Sequence, residues 1–412
     1  MRRRRTGRDD RPVSQADLLL SPAGAQLLDR LRGVDVTAGQ ALALAAQLRP
    51  EYPPDLVAAA LTQQGLRAAA RAKFSRADDM LLTRDGLEQA SSEQTAEHSA
   101  RRFADLAVVA DLCCGIGGNL TALTAAARAV VGVDTDPDAL RFASHNVAAY
   151  EGKADVGFVR ADVRDLGFGA LGRAPLAAAF IDPARRSGGR RLPAGDSEPP
   201  LGWCSALARQ VPRVCIKAAP GLPHELVPAG WEAEFVATGR ALKEALLWSP
   251  AFATTQRRAT VVPAGATLAA SPGEPVPVAD SGEFLLDPNP AVTRAGLVQE
   301  LGRQLGAWQL DPLTAFLSLD RSVSTPFART LRVVDSMPWH ERAMARRLRE
   351  LSIGTVDIRR RGLAGDVELI RRRLRLRGDR SAVIVLTRRA DQPWGLICAA
   401  VAGQPPNPDV PR

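Results

Sequence analysis

The feature that most constrains this chain is a change of rhythm at residue 106. From there, short apolar runs alternate with helical stretches. Leu106–Cys113, Ala129–Val133, Gly157–Arg160, Ala177–Ile181 and Val211–Lys217 read as strands, and Gly118–Ala127 and Pro137–Tyr150 read as the helices that cross between them. This alternation predicts a parallel sheet with helices on both faces, an α/β fold. Ligands of such sheets lie beyond the carboxyl ends of the strands. Residues at those ends are therefore the candidates for function.

Four acids stand there in order. The first run leads into Asp111-Leu112-Cys113-Cys114-Gly115-Ile116-Gly117-Gly118-Asn119. Glycines in a strand-to-helix turn let backbone approach a ligand without Cβ clashes. Gly115 and Gly117 fit the spacing of a phosphate-gripping loop, but position 120 is Leu, and no G-x-x-x-x-G-K-[ST] occurs. A pyrophosphate ligand is therefore not required by this loop. The second run ends Gly132-Val133-Asp134-Thr135-Asp136-Pro137, which places an acid where it accepts from ribose hydroxyls. The third ends Arg160-Ala161-Asp162-Val163, and the fourth Phe180-Ile181-Asp182-Pro183-Ala184-Arg185-Arg186. Any one of these acids alone reads as a cap or turn residue. All four together converge on one cleft.

Asp-Leu-Cys-Cys-Gly-Ile-Gly-Gly, Gly-Val-Asp-Thr-Asp-Pro, Ala-Asp-Val and Asp-Pro-Ala-Arg, in that order, resemble the motifs of a class I S-adenosylmethionine-dependent methyltransferase. Ser92-Glu93-Gln94-Thr95-Ala96-Glu97-His98 and the glycine loop are similar to the trimethylguanosine synthase branch. Glu283–Val292 and Asp357-Ile358-Arg359-Arg360-Arg361-Gly362 resemble bacterial methyltransferases with a C-terminal THUMP-like domain. The resemblance spans about residues 90–400. It implies a Rossmann-like, seven-stranded methyltransferase domain, with S-adenosylmethionine as cofactor. It also implies roles. Asp111, Cys113, Gly115 and Gly117 would lie along the methionine part of the cofactor. Asp134 would hold the ribose, Thr135 would sit beside the adenine, and Asp162 and Val163 would bind the adenine amine and ring. Asp182 and Pro183 would face the methyl acceptor. Related amine methyltransferases continue (Asp/Asn)-Pro-Pro-aromatic, whereas Ala184 and Arg185 stand here. Arg185 or Arg186 then becomes the group for a phosphate or base edge. Trp203, Trp248 or Phe252 could supply a stacking face. Lys217, at the end of the fifth run, is placed either to reach the acceptor or to end in solvent.

The remaining segments give an organisation. Residues 1–12 read as a basic tail and 13–100 as a helical N-terminal domain. Residues 101–265 read as the methyltransferase domain and 266–292 as a Pro-rich linker. Residues 293–403 read as an α+β basic domain, and 404–412 as a tail. In the α+β part, strands are expected at Thr330–Val334, Thr355–Arg359, Ala382–Thr387 and Gly395–Ala400, with helices at His340–Glu350 and Asp366–Leu374.

The chain has 412 residues and a net charge of +9, with 54 basic residues of which only four are lysines. So many arginines can reflect genomic composition, but their placement is informative. Between Ala328 and Arg389 lie 17 Arg, no Lys and seven acids, a net of +10, which leaves the rest of the chain at −1. Such segregation suits a polyanion-binding module. Arg359, Arg360, Arg361, Arg371, Arg372 and Arg373 are the candidate RNA-binding residues, reading shape and charge. Five dispersed cysteines make no disulfide scaffold, and with four scattered histidines no metal site is expected. Cys215 reads as a buried strand residue. The absence of an 18-residue apolar stretch or an apolar leader points to a cytoplasmic protein without a membrane partner. The reading is a methyltransferase acting on a base of tRNA or rRNA. The alternatives are a methyltransferase for a protein or small-molecule acceptor, and a non-catalytic RNA-binding protein on a relic fold.

Overall fold

The computed structural model describes residues 13–34, 36, 38–168, 175–184, 186–187, 190–191 and 196–401. They form two compact units that meet between Lys217 and Ala218.

In the first unit, β1 (Val108–Leu112), β2 (Ala129–Asp134), β3 (Asp155–Arg160), β4 (Ala178–Ile181) and β5 (Val214–Ala218) pair in parallel in the order β3-β2-β1-β4-β5. β1 has neighbours on both sides, so the chain reverses its winding there, and the cleft opens at that switch point. β1 and β4 read almost wholly buried, as a strand covered on both faces must. Seven strands were expected of this sheet. The first unit contributes five, because the remaining strands of the expected domain lie beyond Lys217 in the second unit.

Helices α1 (Gln15–Leu19), α2 (Pro22–Arg30), α3 (Ala38–Leu48), α4 (Pro54–Ala70), α5 (Arg84–Gln89) and α6 (Glu93–Ala100) build the N-terminal region. Their starts follow from local chemistry. Ser14 and Asp17 form a reciprocal capping box on α1, and the Ser21 hydroxyl caps α2 with Pro22 in its first turn. The apolar faces of α1–α5 share one core with Ile116 of the glycine loop and Phe142 of the later helix that crosses from β2 to β3. The boundary expected near residue 100 is therefore not a break in packing.

α7 (Gly118–Ala126) links β1 to β2, and α8 (Pro137–Ala149) links β2 to β3. Asn146 on α8, fully buried, accepts from the Leu81 amide at 2.7 Å and donates to the carbonyls of Leu81 and Ile116 at 2.9 Å each. One side chain thus ties the helical region to the glycine loop. A short helix, α9 (Leu201–Ala206), precedes β5.

In the second unit, β6 (Glu232–Thr238) and β7 (Ala241–Trp248) make an antiparallel hairpin. β8 (Arg257–Val262) runs parallel to β6, and β9 (Ala266–Ala269) returns antiparallel to β8. The stretch expected as a linker thus contributes β9 and also β10 (Phe284–Pro288). Its prolines suggested an open connection, but β10 ends in one and α10 (Pro290–Ala295) begins with another. Gly296, at φ +68°, separates α10 from α11 (Val298–Leu305). Next come β11 (Trp308–Gln309), β12 (Leu317–Leu319), β13 (Ala328–Pro338), α12 (Glu341–Glu350), β14 (Ile353–Arg360), α13 (Val367–Leu374), β15 (Arg380–Arg389) and β16 (Gln392–Ala400). The sheet order is β11-β12-β10-β13-β16-β15-β14, antiparallel except for β14 on β15. One face of this sheet packs Ile353, Val356, Ile358, Ile384 and Leu386 against Met344, Leu348 and Leu374 of α12 and α13.

Candidate active site

The carboxyl ends of β1, β2 and β4 open on a cavity of about 480 Å³. Cys113, Gly115, Asp134, Thr135, Asp162, Val163 and Asp182 all line it. Asp111, Gly117, Pro183 and Lys217 lie outside the lining set. Arg185 falls outside the described residues, and so does the side chain of Arg186.

The glycine loop owes its shape to three residues in the left-handed region, Cys113, Gly115 and Gly117, at φ +62°, +52° and +83°. Nothing lies within 4 Å of where a Gly115 Cβ would stand, so this stretch of backbone borders open space. At Gly117 a Cβ would meet Ala143 at 3.1 Å, so its role is to let α7 close on α8. The Gly115 amide donates to Asp134 Oδ2 at 2.8 Å, and the Asp136 amide donates to Oδ1 at 3.0 Å. Asp134 is thereby held at the cavity wall with acceptor capacity to spare.

Asp111 is almost wholly buried, and neither carboxylate oxygen has a hydrogen-bond partner. Burial pushes its pKa well above the usual carboxylate range, Asp182 and Asp134 push the same way, and Lys217 opposes them. A buried acid with no partner is costly unless a ligand completes it. Burial also raises the thiols of Cys113 and Cys114, so neither is an activated nucleophile.

Lys217 does not end in solvent. Its side chain is 4% exposed, and Nζ lies 2.7 Å from Asp182 Oδ2 and 3.1 Å from the Gln89 carbonyl. The ammonium thus joins β5, β4 and α5 and holds Asp182 in one orientation. Cys215, two residues before it, is fully buried in β5, as its sequence suggested.

Asp162 is engaged as well. Arg164 donates to it from its amide at 2.9 Å, from Nε at 3.0 Å and from Nη2 at 2.6 Å, and reaches Glu198 at 2.7 Å through Nη1. These bonds hold the Asp162 pKa down at about 2.

Several lining residues were not foreseen: Thr83, Asp85, Gly86, Gln89 and Ala90 around α5, then Asn119, Arg164 and Glu198. Thr83 capping α5, its hydroxyl accepting from the Gly86 amide, was a readable local signal. That this helix would face the strand ends was not. Trp248 is fully buried, with Nε1 on Glu234 at 2.8 Å and Phe252 against its ring, so it offers no stacking face. Trp203 packs on Phe168, and neither lines the cavity.

Comparison with known proteins agrees with this geometry. A methyltransferase domain model matches residues 109–177, a THUMP domain-like model residues 328–400, and a domain of unknown function residues 13–70. S-adenosylmethionine-dependent methyltransferases from two strains of Mycobacterium tuberculosis are 39% identical to it over 320 residues, 75% of this chain and 84% of theirs. A solved structure described as a methyltransferase from Porphyromonas gingivalis superposes with a TM-score of 0.70, at 20% identity, over 89% of this chain and 99% of that one. At that identity it bears on fold alone. The chain belongs to the S-adenosylmethionine-dependent methyltransferases and is an enzyme with a C-terminal THUMP-like domain.

The residues fit that cofactor. Its ammonium and sulfonium are cationic, and the cavity lines up Asp85, Asp134, Asp136, Asp162, Asp182 and Glu198 against the single guanidinium of Arg164 among the described lining residues. The unpartnered Asp111 adds a further carboxylate at the end of β1. Among the described residues, no group of three or more His, Cys, Asp or Glu is placed to hold a metal ion. No helix among them is long and apolar enough to cross a membrane.

Proposed function

We propose that this methyltransferase modifies a base of tRNA or rRNA, with the basic C-terminal domain docking the RNA. The observation that carries the reading is a pairing of two features. Asp182 faces the cofactor cavity under the grip of Lys217, and the THUMP-like segment carries the chain's whole excess of positive charge.

The bound cofactor supplies an already activated methyl group, so the protein's task is alignment. Asp134 and Asp162 hold the nucleoside end, and Asp111 with the Cys113–Gly117 turn the amino-acid end. Asp182 accepts a hydrogen bond from the acceptor amine and orients its lone pair. Pro183, next in the chain, is buried, and we assign it with Asp182 to the acceptor side. Lys217 holds Asp182 in place through its 2.7 Å contact, as a positioning residue. Arg185 follows where a stacking group stands in related enzymes, and we assign it to the acceptor's base edge or phosphate. Arg360 and Arg372 are exposed and suit phosphate contact. Arg371 and Arg373 share their charge with Glu368 and Glu341.

The test is transfer of tritiated methyl from the cofactor to total RNA from cells lacking the protein, with Asp182→Ala as control. Label in RNA that disappears with Asp182→Ala supports the reading. Cofactor binding with label only in protein or small molecules overturns the RNA half. No cofactor-dependent label in any fraction favours the non-catalytic alternative.

A further inference from the structure

Four arginines of the second unit crowd around two acids. Asp287, at the end of β10, has a side chain only 3% exposed. Its carboxylate meets Arg240 Nη2 at 2.7 Å, Arg361 Nη2 at 3.2 Å and Arg359 Nε at 4.0 Å. Asp357 on β14 meets Arg329 Nη1 at 3.0 Å and Arg359 Nε at 3.3 Å. The strands dictate this assembly. Val356 and Ile358 point into one core, so Asp357, Arg359 and Arg361 share the other face of that edge. Asp287 and Arg329 are direct partners across β10 and β13.

The charges do not balance. Four guanidiniums face two carboxylates in a partly buried place. A structural network of buried ions is ordinarily matched, because each unpaired charge is costly to desolvate. Here burial lowers the Arg240 pKa below its ordinary value, and its three arginine neighbours deepen that while Asp287 opposes it. Arg359 is the poorly matched member: its Nε and Nη2 are buried without a hydrogen-bond partner. Arg361 stacks over Phe316 at 5.4 Å and so is held in place. Arginine forks held rigid in this way suit a phosphate oxygen pair.

We propose that Arg240, Arg329, Arg359 and Arg361 form a phosphate-binding site that takes a phosphodiester of the RNA acceptor. The proposal rests on the RNA reading and sharpens it. Docking then centres on this preorganised cluster, and the arginines along α13 are secondary. Arg240 lies outside the basic segment 328–389 that sequence singled out, and Arg329 lies inside it but apart from the arginine triplets named there.

Arg359→Gln is the decisive variant. Asp357 keeps Arg329 and Asp287 keeps Arg240, so no acid is stranded. The full-length chain is titrated with a tRNA transcript at several salt concentrations, and wild type is compared with Arg359→Gln, Asp357→Asn and Arg372→Gln. The expected result for Arg359→Gln is about a tenfold loss of affinity near 0.1 M salt and a salt slope shallower by about 0.7–0.9, one phosphate's share. Asp357→Asn, which raises the positive excess, is expected to bind RNA several-fold more tightly. A merely structural network predicts no tightening there. An Arg359→Gln slope equal to wild type, with the loss appearing in Arg372→Gln instead, overturns the site. A second measurement separates this from failure of the RNA reading. Melting temperature is followed against inorganic phosphate at constant ionic strength. If wild type binds no RNA but is stabilised by phosphate in an Arg359-dependent way, the anion site stands and its RNA assignment falls. If phosphate has no such effect and RNA does not bind, the proposal falls entirely.

Discussion

The two units hold opposite imbalances of charge, and each suits the ligand expected of it. Among the described residues, the cavity of the first unit gathers six carboxylates against one guanidinium, with the unpartnered Asp111 at the end of β1 besides. The cluster of the second unit gathers four guanidiniums against two carboxylates. A folded protein tolerates such surpluses only where a ligand of the other sign relieves them. The cofactor is cationic, and the proposed acceptor is a polyanion. One chain near neutrality outside residues 328–389 thus separates its charges by task. The contrast extends to hydrogen bonding. Neither Asp111 oxygen has a hydrogen-bond partner, whereas the Asp287 carboxylate accepts from Arg240 and Arg361.

The largest effect that would break this contrast lies at the one buried cation beside the acid cavity. Asp182→Asn leaves the Lys217 ammonium, 4% exposed, without its counter-charge. Removing one partner of a buried pair costs about 3–5 kcal/mol, reduced here because Asp182 is 21% exposed. Methyl transfer in a single turnover is expected to fall by about 100-fold or more, with a clear drop in melting temperature. Lys217→Arg should rescue part of the stability. An Asp182→Asn enzyme with near-normal turnover would remove Asp182 from the acceptor site.

Next in size is Asp134→Ala. It removes an acceptor from the nucleoside end and releases the Gly115 amide that it holds at 2.8 Å. Cofactor affinity measured by calorimetry is expected to fall by about 100-fold, the loss of two charge-assisted hydrogen bonds at roughly 1.5 kcal/mol each. Unchanged affinity would contradict the placement of the ribose.

Asp111 supplies a test of sign. Its pKa is raised in the folded chain, so between the unfolded value and the raised native one the native state holds a proton there that the unfolded state has lost. Its contribution to the stability of the ligand-free chain therefore falls as pH rises from the unfolded value, near 4, up to the raised native value. Cofactor binding through an ionised Asp111 has to release that proton, so affinity should climb with pH until the native pKa is passed. Asp111→Asn should leave the free protein as stable as wild type or more so, by about 1 kcal/mol, while weakening cofactor binding at least tenfold. Melting and titration across pH 5–8 check both. A destabilised Asp111→Asn with unaltered affinity would show that the acid serves the fold alone.

The acids at strand ends were legible because a parallel sheet announces its strands as apolar runs and presents its ligand face where each run stops. Asp111, Asp134, Asp162 and Asp182 needed only that local rule. What escaped was non-local. Asn146 sits on the crossover helix α8, yet it staples Leu81, 65 residues away, to Ile116, 30 residues away. Asp85 and Gln89 reach the cavity from α5, which no local pattern connects to β1. Lys217 could be placed at a strand end but not paired, since its partners lie 35 and 128 residues away. β11 and β12, two and three residues long, are too short to show a period. The arginine triplet 359–361 marked the right region, but alternation along β14 sends Arg359 and Arg361 to the acids and leaves Arg360 exposed.

The smallest expected effect sharpens the comparison most finely, because it concerns the lone guanidinium lining the acid cavity. Arg164 is 48% exposed, so its ion pairs with Asp162 and Glu198 contribute little to stability, and Arg164→Gln should change it by under about 0.5 kcal/mol. The substitution removes the positive charge that opposes a cationic ligand and lets the Asp162 pKa return upward from about 2. Asp162 Oδ2 then loses its competing donor, while Oδ1 keeps the backbone amide of residue 164. Cofactor affinity at low salt should rise by about threefold, and the gain should shrink as salt screens it. Weaker binding in Arg164→Gln would mean that the guanidinium earns its place by orienting Asp162, and that charge excess alone does not set the affinity of this cavity.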